Sequence, residues 1–203
     1  MALECLVKIS SVNNLSDARY VAGMGVGLMG FDLDPCSENF VDPEKFSAII
    51  SWISGVEIVG ELGSVNDVDA VNKVLGQYQV DYLQVNAETA RTGLEELSLP
   101  VMVKICQPDK VHITSVFDKF KDFPCWYLLE TDIPMSEEVL QWCTSNVRQY
   151  PLILGSNLSA ENVHEFLQSG FRGISLRGGQ EIRPGYRNFD ELADILEALE
   201  IID

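Results

Sequence analysis

Cations are scarce in this chain. Fourteen Lys and Arg face 31 Asp and Glu over 203 residues, a formal net charge of −17 at pH 7. A surface of that sign repels nucleic acid and anionic membranes, so neither is an expected partner. It also works against phosphorylated ligands, so a phosphate site has to be built from local backbone donors and dipoles. Histidine is scarcer still: His112 and His164 are the two present, both within helical patterns. The five cysteines, Cys5, Cys36, Cys106, Cys125 and Cys143, are odd in number and lack the close pairs of a zinc site. No metal and no cofactor is therefore expected, and the cysteines read as reduced core residues. No apolar run approaches the ~20 residues of a membrane-spanning helix. No basic segment followed by an apolar one opens the chain, and the expectation is a cytoplasmic protein. Low-complexity segments and linkers are also missing, as is a Gly-x-Gly-x-x-Gly turn after the first strand, which argues against a doubly wound open sheet.

What the chain has is a repeated unit. With 46% hydrophobic residues it can bury one sizeable core. Short apolar runs alternate with amphipathic stretches from end to end. Strand-like Leu6 to Ile9 precedes a helical stretch with Leu15, Ala18, Val21 and Ala22, and Leu28 to Phe31 follows. Asp42-Pro43 is a helix cap with proline at the first helical position, ahead of Phe46, Ile49 and Ile53. Val56 to Leu62 leads to Ser64-x-x-Asp67 and the stripe Val68, Val71, Val74, Leu75. Tyr82 to Val85 precedes a short helix around Thr89 to Leu94, and Val101 to Ile105 a poorer one with Val111, Phe117 and Phe120. Trp126 to Leu129 is followed by a helix starting near Ser136. Eight such alternations at ~25 residues each predict a small single-domain (βα)8 barrel over residues 1–203.

The last two units occupy 151–189. Pro151 to Leu154 is broken by Gly155-Ser156-Asn157, with Ser159 as the expected cap of the next helix. Gly173 to Leu176 runs into Arg177-Gly178-Gly179, with a helix expected from Asn188. In a barrel, the loops after the seventh and eighth strands often hold phosphate. Gly155, Ser156, Asn157, Arg177, Gly178 and Gly179 are the candidate anion-binding set, and plain turn chemistry is the other reading of the glycines.

Several motifs, in order and at strand ends, resemble the phosphoribosylanthranilate isomerase family. They are Lys8-Ile9-Ser10-Ser11-Val12, Asn14-Leu15-Ser16-Asp17-Ala18, Gly30-Phe31, Val59-Gly60 and Leu83-Gln84-Val85-Asn86-Ala87-Glu88. Leu158, Glu161-Asn162-Val163, Glu181 and Pro184-Gly185-Tyr186-Arg187 complete the match. The resemblance implies a barrel of the tryptophan pathway. Its reaction is an Amadori rearrangement, in which an acid protonates the ribose ring oxygen and a base removes the C2′ proton. It places Ser10 where the family has its basic cysteine, and Glu130 where the family has an acidic aspartate. It places Asn39 where the family has a substrate-facing arginine, and Asn86 at the end of the fourth strand.

The departures carry a chemical price. A serine hydroxyl is too weakly acidic to act as a base unless a neighbour takes its proton. Lys8 shares a strand face with Ser10 and is either that neighbour or a charged structural residue. Glu61, where the family has an apolar residue, is either the partner of Glu130 in an acid–base pair or the counterion of Lys8 or Lys104 in an ionic layer. The expectation is a divergent isomerase-like barrel that binds a small phosphorylated or carboxylated metabolite, with the isomerase chemistry lost or altered. The alternatives are an active phosphoribosylanthranilate isomerase with Glu130 as general acid, or a non-catalytic scaffold protein.

Overall fold

Eight parallel strands close on themselves in sequence order, each hydrogen-bonded to the next and β8 to β1. The computed structural model describes residues 2–64, 68–90, 94–107, 109–131, 133–178, 180–183 and 186–201. The strands are β1 (Leu6–Ser10), β2 (Leu28–Asp32), β3 (Glu57–Leu62), β4 (Tyr82–Asn86), β5 (Val101–Ile105), β6 (Cys125–Leu129), β7 (Leu152–Leu154) and β8 (Gly173–Arg177). Around them lie α1 (Leu15–Gly23), α2 (Pro43–Ile50), α3 (Val68–Leu75), α4 (Lys110–Phe120), α5 (Glu137–Asn146), α6 (Val163–Gln168) and α7 (Asp190–Ala198). The expected barrel is therefore the observed one.

Local chemistry sets many of the helix starts. Asp42 accepts from the N–H groups of Glu44 and Lys45 ahead of Pro43, Asp109 from that of His112, and Asn14 from that of Asp17. Each side chain satisfies donors that the first helical turn leaves unpaired. Along each strand alternate residues face outward onto the helices, where Ile9, Phe31, Val103, Tyr127 and Ile174 join one continuous apolar core. The inward set forms a separate apolar plug of Leu28, Val59, Met102, Leu128 and Ile153. One step toward the carboxyl ends, the same alternation turns polar, with Lys8, Ser10, Glu61, Gln84, Glu130 and Ser175 all buried. An apolar floor under a polar mouth is the arrangement on which a barrel site is built.

The structure corrects several expectations. The fourth crossover is a 3-10 turn, Leu94–Glu96, and not a helix from Thr89; residues 91–93 lie outside the described residues, as does Asp67. Val111 is 81% exposed, so the face that α4 buries is Ile113, Val116, Phe117 and Phe120. The cap of α6 is Asn162 and not Ser159, and α7 begins at Asp190 without a side-chain cap. Asn188 belongs instead to a hairpin, β9 (Gln180–Arg183) with β10 (Tyr186–Asn188), which occupies the loop after β8. Of the cysteines, Cys125 and Cys143 are buried and all five are free thiols, but Cys36 is exposed on the loop after β2. Burial pushes the Cys125 and Cys143 thiols up to about 11, which keeps them inert.

Candidate functional site

Two carboxylates stand at the polar mouth, and they are held in different ways. Glu61, on β3, is ion-paired with Lys8 of β1, whose side chain is wholly buried. Its second oxygen accepts from the backbone N–H and the hydroxyl of Ser11 at 3.1 and 3.3 Å. Gly30, on the intervening strand β2, makes the pair possible. A methyl group there would collide with the Glu61 carboxylate and lie 2.9 Å from Lys8 Nζ. The structure therefore places Glu61 in an ionic layer with Lys8, one of the two arrangements its position allowed.

Glu130 follows β6, is 3% exposed, and takes four donors. Its Oε1 accepts from Lys104 Nζ at 2.8 Å and from Arg177 Nε at 3.1 Å. Its Oε2 accepts from the hydroxyls of Ser10 at 3.1 Å and Ser175 at 3.2 Å. Burial alone would raise its pKa, but the charges of Lys104, Lys8 and Arg177 outweigh that and hold it at about 2. At neutral pH Glu130 is a carboxylate. Lys104 is correspondingly raised: burial opposes its charge, yet the Glu130 carboxylate more than compensates.

Ser10 joins the two carboxylates. It accepts from Lys8 Nζ at 2.6 Å and donates to Glu130, so its hydroxyl sits between the ammonium that neutralises Glu61 and the second carboxylate. Ser10, Glu61 and Glu130 thus belong to one hydrogen-bonded network across β1, β3 and β6. Gly155, after β7, serves it by having no side chain. A Cβ at that position would come within 3.0 and 3.1 Å of the Glu130 Cβ and Cγ, so Glu130 leans across β7 toward β8.

The other members of the expected anion set are placed differently. The Gly155 N–H donates to the Leu129 carbonyl at 2.7 Å as part of the barrel ladder, and the Gly178 N–H points to the Ser10 carbonyl at 3.4 Å. The Ser156 hydroxyl accepts from the Thr131 N–H at 2.7 Å. Asn157, at φ 62°, holds the Met135 backbone through both ends of its amide, at 2.9 and 3.1 Å. These two side chains fasten the loop after β6. Helix α6 is six residues long, and its cap residue Asn162 donates to the Asn157 carbonyl at 2.8 Å. Gly179 lies outside the described residues. Asn39 is exposed on the loop after β2, where its Oδ1 accepts from Asn13 Nδ2 at 3.2 Å. Asn86 ends β4, its carbonyl turning the chain through Thr89 and Ala90.

Ser175 and Gln84 join the site without having been expected there, and Lys104, a candidate counterion of Glu61, meets Glu130 instead. Strand alternation puts Ser175 on the inward face with Arg177, Gln84 with Asn86, and Lys104 with Met102. Gln84 is 4% exposed, and its Oε1 has no hydrogen-bond partner among the described residues, an acceptor turned into the mouth.

A structure of phosphoribosyl anthranilate isomerase from Thermotoga maritima matches with a TM-score of 0.77 at 19% identity, covering 96% of this chain and 98% of that one. A phosphoribosyl anthranilate isomerase solved in complex with reduced 1-(o-carboxyphenylamino)-1-deoxyribulose 5-phosphate matches with a TM-score of 0.77 at 18% identity, covering 96% and 98%. Likeness at these identities speaks to the fold. In sequence, the N-(5′-phosphoribosyl)anthranilate isomerase of Nitratiruptor sp. is 24% identical over 195 residues, 94% of this chain and 96% of the relative. The family model for N-(5′-phosphoribosyl)anthranilate (PRA) isomerase aligns with residues 7–198, from the first strand to the last helix, and the chain belongs to that family.

Proposed function

We propose that this chain isomerises N-(5′-phosphoribosyl)anthranilate, with Glu130 as the residue that moves protons. The observation that carries the reading is the position of Glu130: a buried carboxylate at the end of β6, hydrogen-bonded to Ser10 at the end of β1, in a chain of this family. The ligand in the complex of the related isomerase supports the same substrate class.

The chemistry asks for a proton on the ribose ring oxygen and removal of the proton on C2′. A carboxyl group held at about 2 enters the cycle ionised, so Glu130 suits the second task better than the acid role its position suggested. Once the C1′–O bond has broken, its pair leaving with the protonated ring oxygen and the nitrogen pair forming a C1′=N bond, Glu130 takes the C2′ proton, the C–H pair forms the C1′=C2′ bond and the C1′=N pair returns to nitrogen. The ring-opening proton comes from the Lys104 ammonium, which lies against the same carboxylate and reaches solvent. Ser10 orients Glu130 by donating to it and takes no proton itself.

The four donors on Glu130 favour a second reading, in which the barrel binds a small phosphorylated or carboxylated metabolite without turning it over. Incubating the purified protein with phosphoribosylanthranilate separates the two. Turnover toward the ~10 s⁻¹ typical of enzymes supports the isomerase. Thermal stabilisation by phosphoribosyl compounds without product supports the binding protein.

A further inference from the structure

Arg177 stands in two places at once. Its backbone ends β8 and pairs in register with Ser10, at the strand end where barrels often hold phosphate. Its guanidinium reaches back over β7 to Glu130, although the side chain remains 54% exposed. Lys104, the other cation on the same oxygen, is 18% exposed, and Lys8, which acts on Glu130 through its charge, is fully buried. Of these three cations Arg177 is the most exposed to solvent. The chain carries 14 cationic side chains against 31 acidic ones, so three gathered around one carboxylate is a local reversal of the overall field. The side chains of Ser156 and Asn157 are committed to the loop after β6, and the N–H of Gly155 to the ladder.

We propose that Arg177 is a shared cation, which holds Glu130 in the resting site and transfers its planar fork to the phosphate of a bound ligand, so that ligand and Glu130 compete for one guanidinium. This rests on the isomerase reading, which supplies a phosphorylated substrate. Arg177 is then a positioning residue. Phosphate draws it off Glu130, and a carboxylate relieved of one of its cations becomes a better proton acceptor at the moment the substrate is seated. Binding and arming are linked through one side chain.

The test is a double-mutant cycle read by calorimetric titration with inorganic phosphate at pH 7. Arg177→Met should weaken phosphate binding by about tenfold to a hundredfold, the range for hydrogen bonds to charged groups, and Arg177→Lys should restore part of it. Glu130→Gln should tighten binding by about tenfold in the parent and by clearly less in the Arg177→Met background. Equal gains in both backgrounds mean only that a negative charge was removed, and overturn the proposal. So does a parent that fails to bind phosphate at millimolar concentration. Should Glu130→Gln not fold, the ¹³C carboxyl resonance of Glu130 replaces it. Phosphate should shift that resonance in the parent and leave it in place in Arg177→Met, and a like shift in both overturns the proposal. An additive cycle with turnover intact removes the coupling alone. A coupled cycle without turnover of phosphoribosylanthranilate removes the isomerase reading and leaves the coupling standing.

Discussion

Glu61 and Glu130 are the same side chain at the same end of the same barrel, both nearly inaccessible, and their surroundings assign them opposite work. Glu61 meets one ammonium that has no contact with solvent, and the glycine on the strand between them is filled by the pair itself. Glu130 meets two cations that reach water and two hydroxyls that belong to different strands. The first arrangement is closed and has nothing to exchange. The second is built from partners that a ligand can draw on. A buried carboxylate is therefore read by the exposure of its counterions as much as by its own.

Turnover is the widest gap between the two. Glu130→Gln is expected to lower kcat by about 10²–10⁴, the usual worth of a general base, and Glu61→Gln by less than about tenfold once folded. Comparable losses in a steady-state assay would erase the distinction.

Stability should run the other way. Glu61→Gln strands the fully buried Lys8 ammonium and is expected to cost about 3–5 kcal/mol, whereas Lys8→Met with Glu61→Leu should recover most of it. Glu130→Gln should cost less, about 1–3 kcal/mol, because Lys104 and Arg177 can turn to water. Urea midpoints at pH 7 rank the variants.

A pH-dependent effect also belongs to Glu130. Its folded pKa of about 2 lies below its ordinary value of 4.5, so its stabilisation is complete above about pH 4.5 and is lost as pH falls through about 2. The loss should be on the order of 3 kcal/mol. Unfolding free energies measured from pH 6 down to pH 2.5 should show the decline in the parent and much less of it in Glu130→Gln.

The smallest effect tests the seating of Glu130. Gly155→Ala puts a methyl group at 3.0 Å from the Glu130 Cβ, asking for a displacement of tenths of an ångström. Turnover should fall by about tenfold, with stability changed by less than about 1 kcal/mol. The same urea and kinetic measurements check both halves.

The barrel was legible because its units are local: apolar runs of strand length, caps such as Asp42 before Pro43, and a change of period from two to near four. What escaped was decided at a distance. The hairpin of β9 and β10 carries no apolar alternation in Gln180-Glu181-Ile182-Arg183, and its pairing is with itself, so the stretch read as an open loop. Ser156 and Asn157 resemble anion donors because polar turn residues do; their partners lie 25 and 22 residues away, on the loop after β6. Both Lys8 and Lys104 were foreseeable counterions for Glu61. Which lysine meets which carboxylate depends on the stagger of strands around the barrel, and no single strand contains that information. Lys104 went to Glu130.

Gly30 leaves a directional mark on how this mouth can change. Its empty side is the mould in which the Lys8–Glu61 pair is cast, since a methyl group there would overlap the carboxylate. Changes at the two positions are consequently ordered. Glu61 can be exchanged for an apolar residue while Gly30 stays, and the vacated volume can then be filled from position 30. The opposite sequence passes through a chain in which a buried lysine and glutamate are pushed apart with nowhere to go. A lineage that has filled position 30 has closed the route back to this ionic layer, and one that keeps the glycine holds it open.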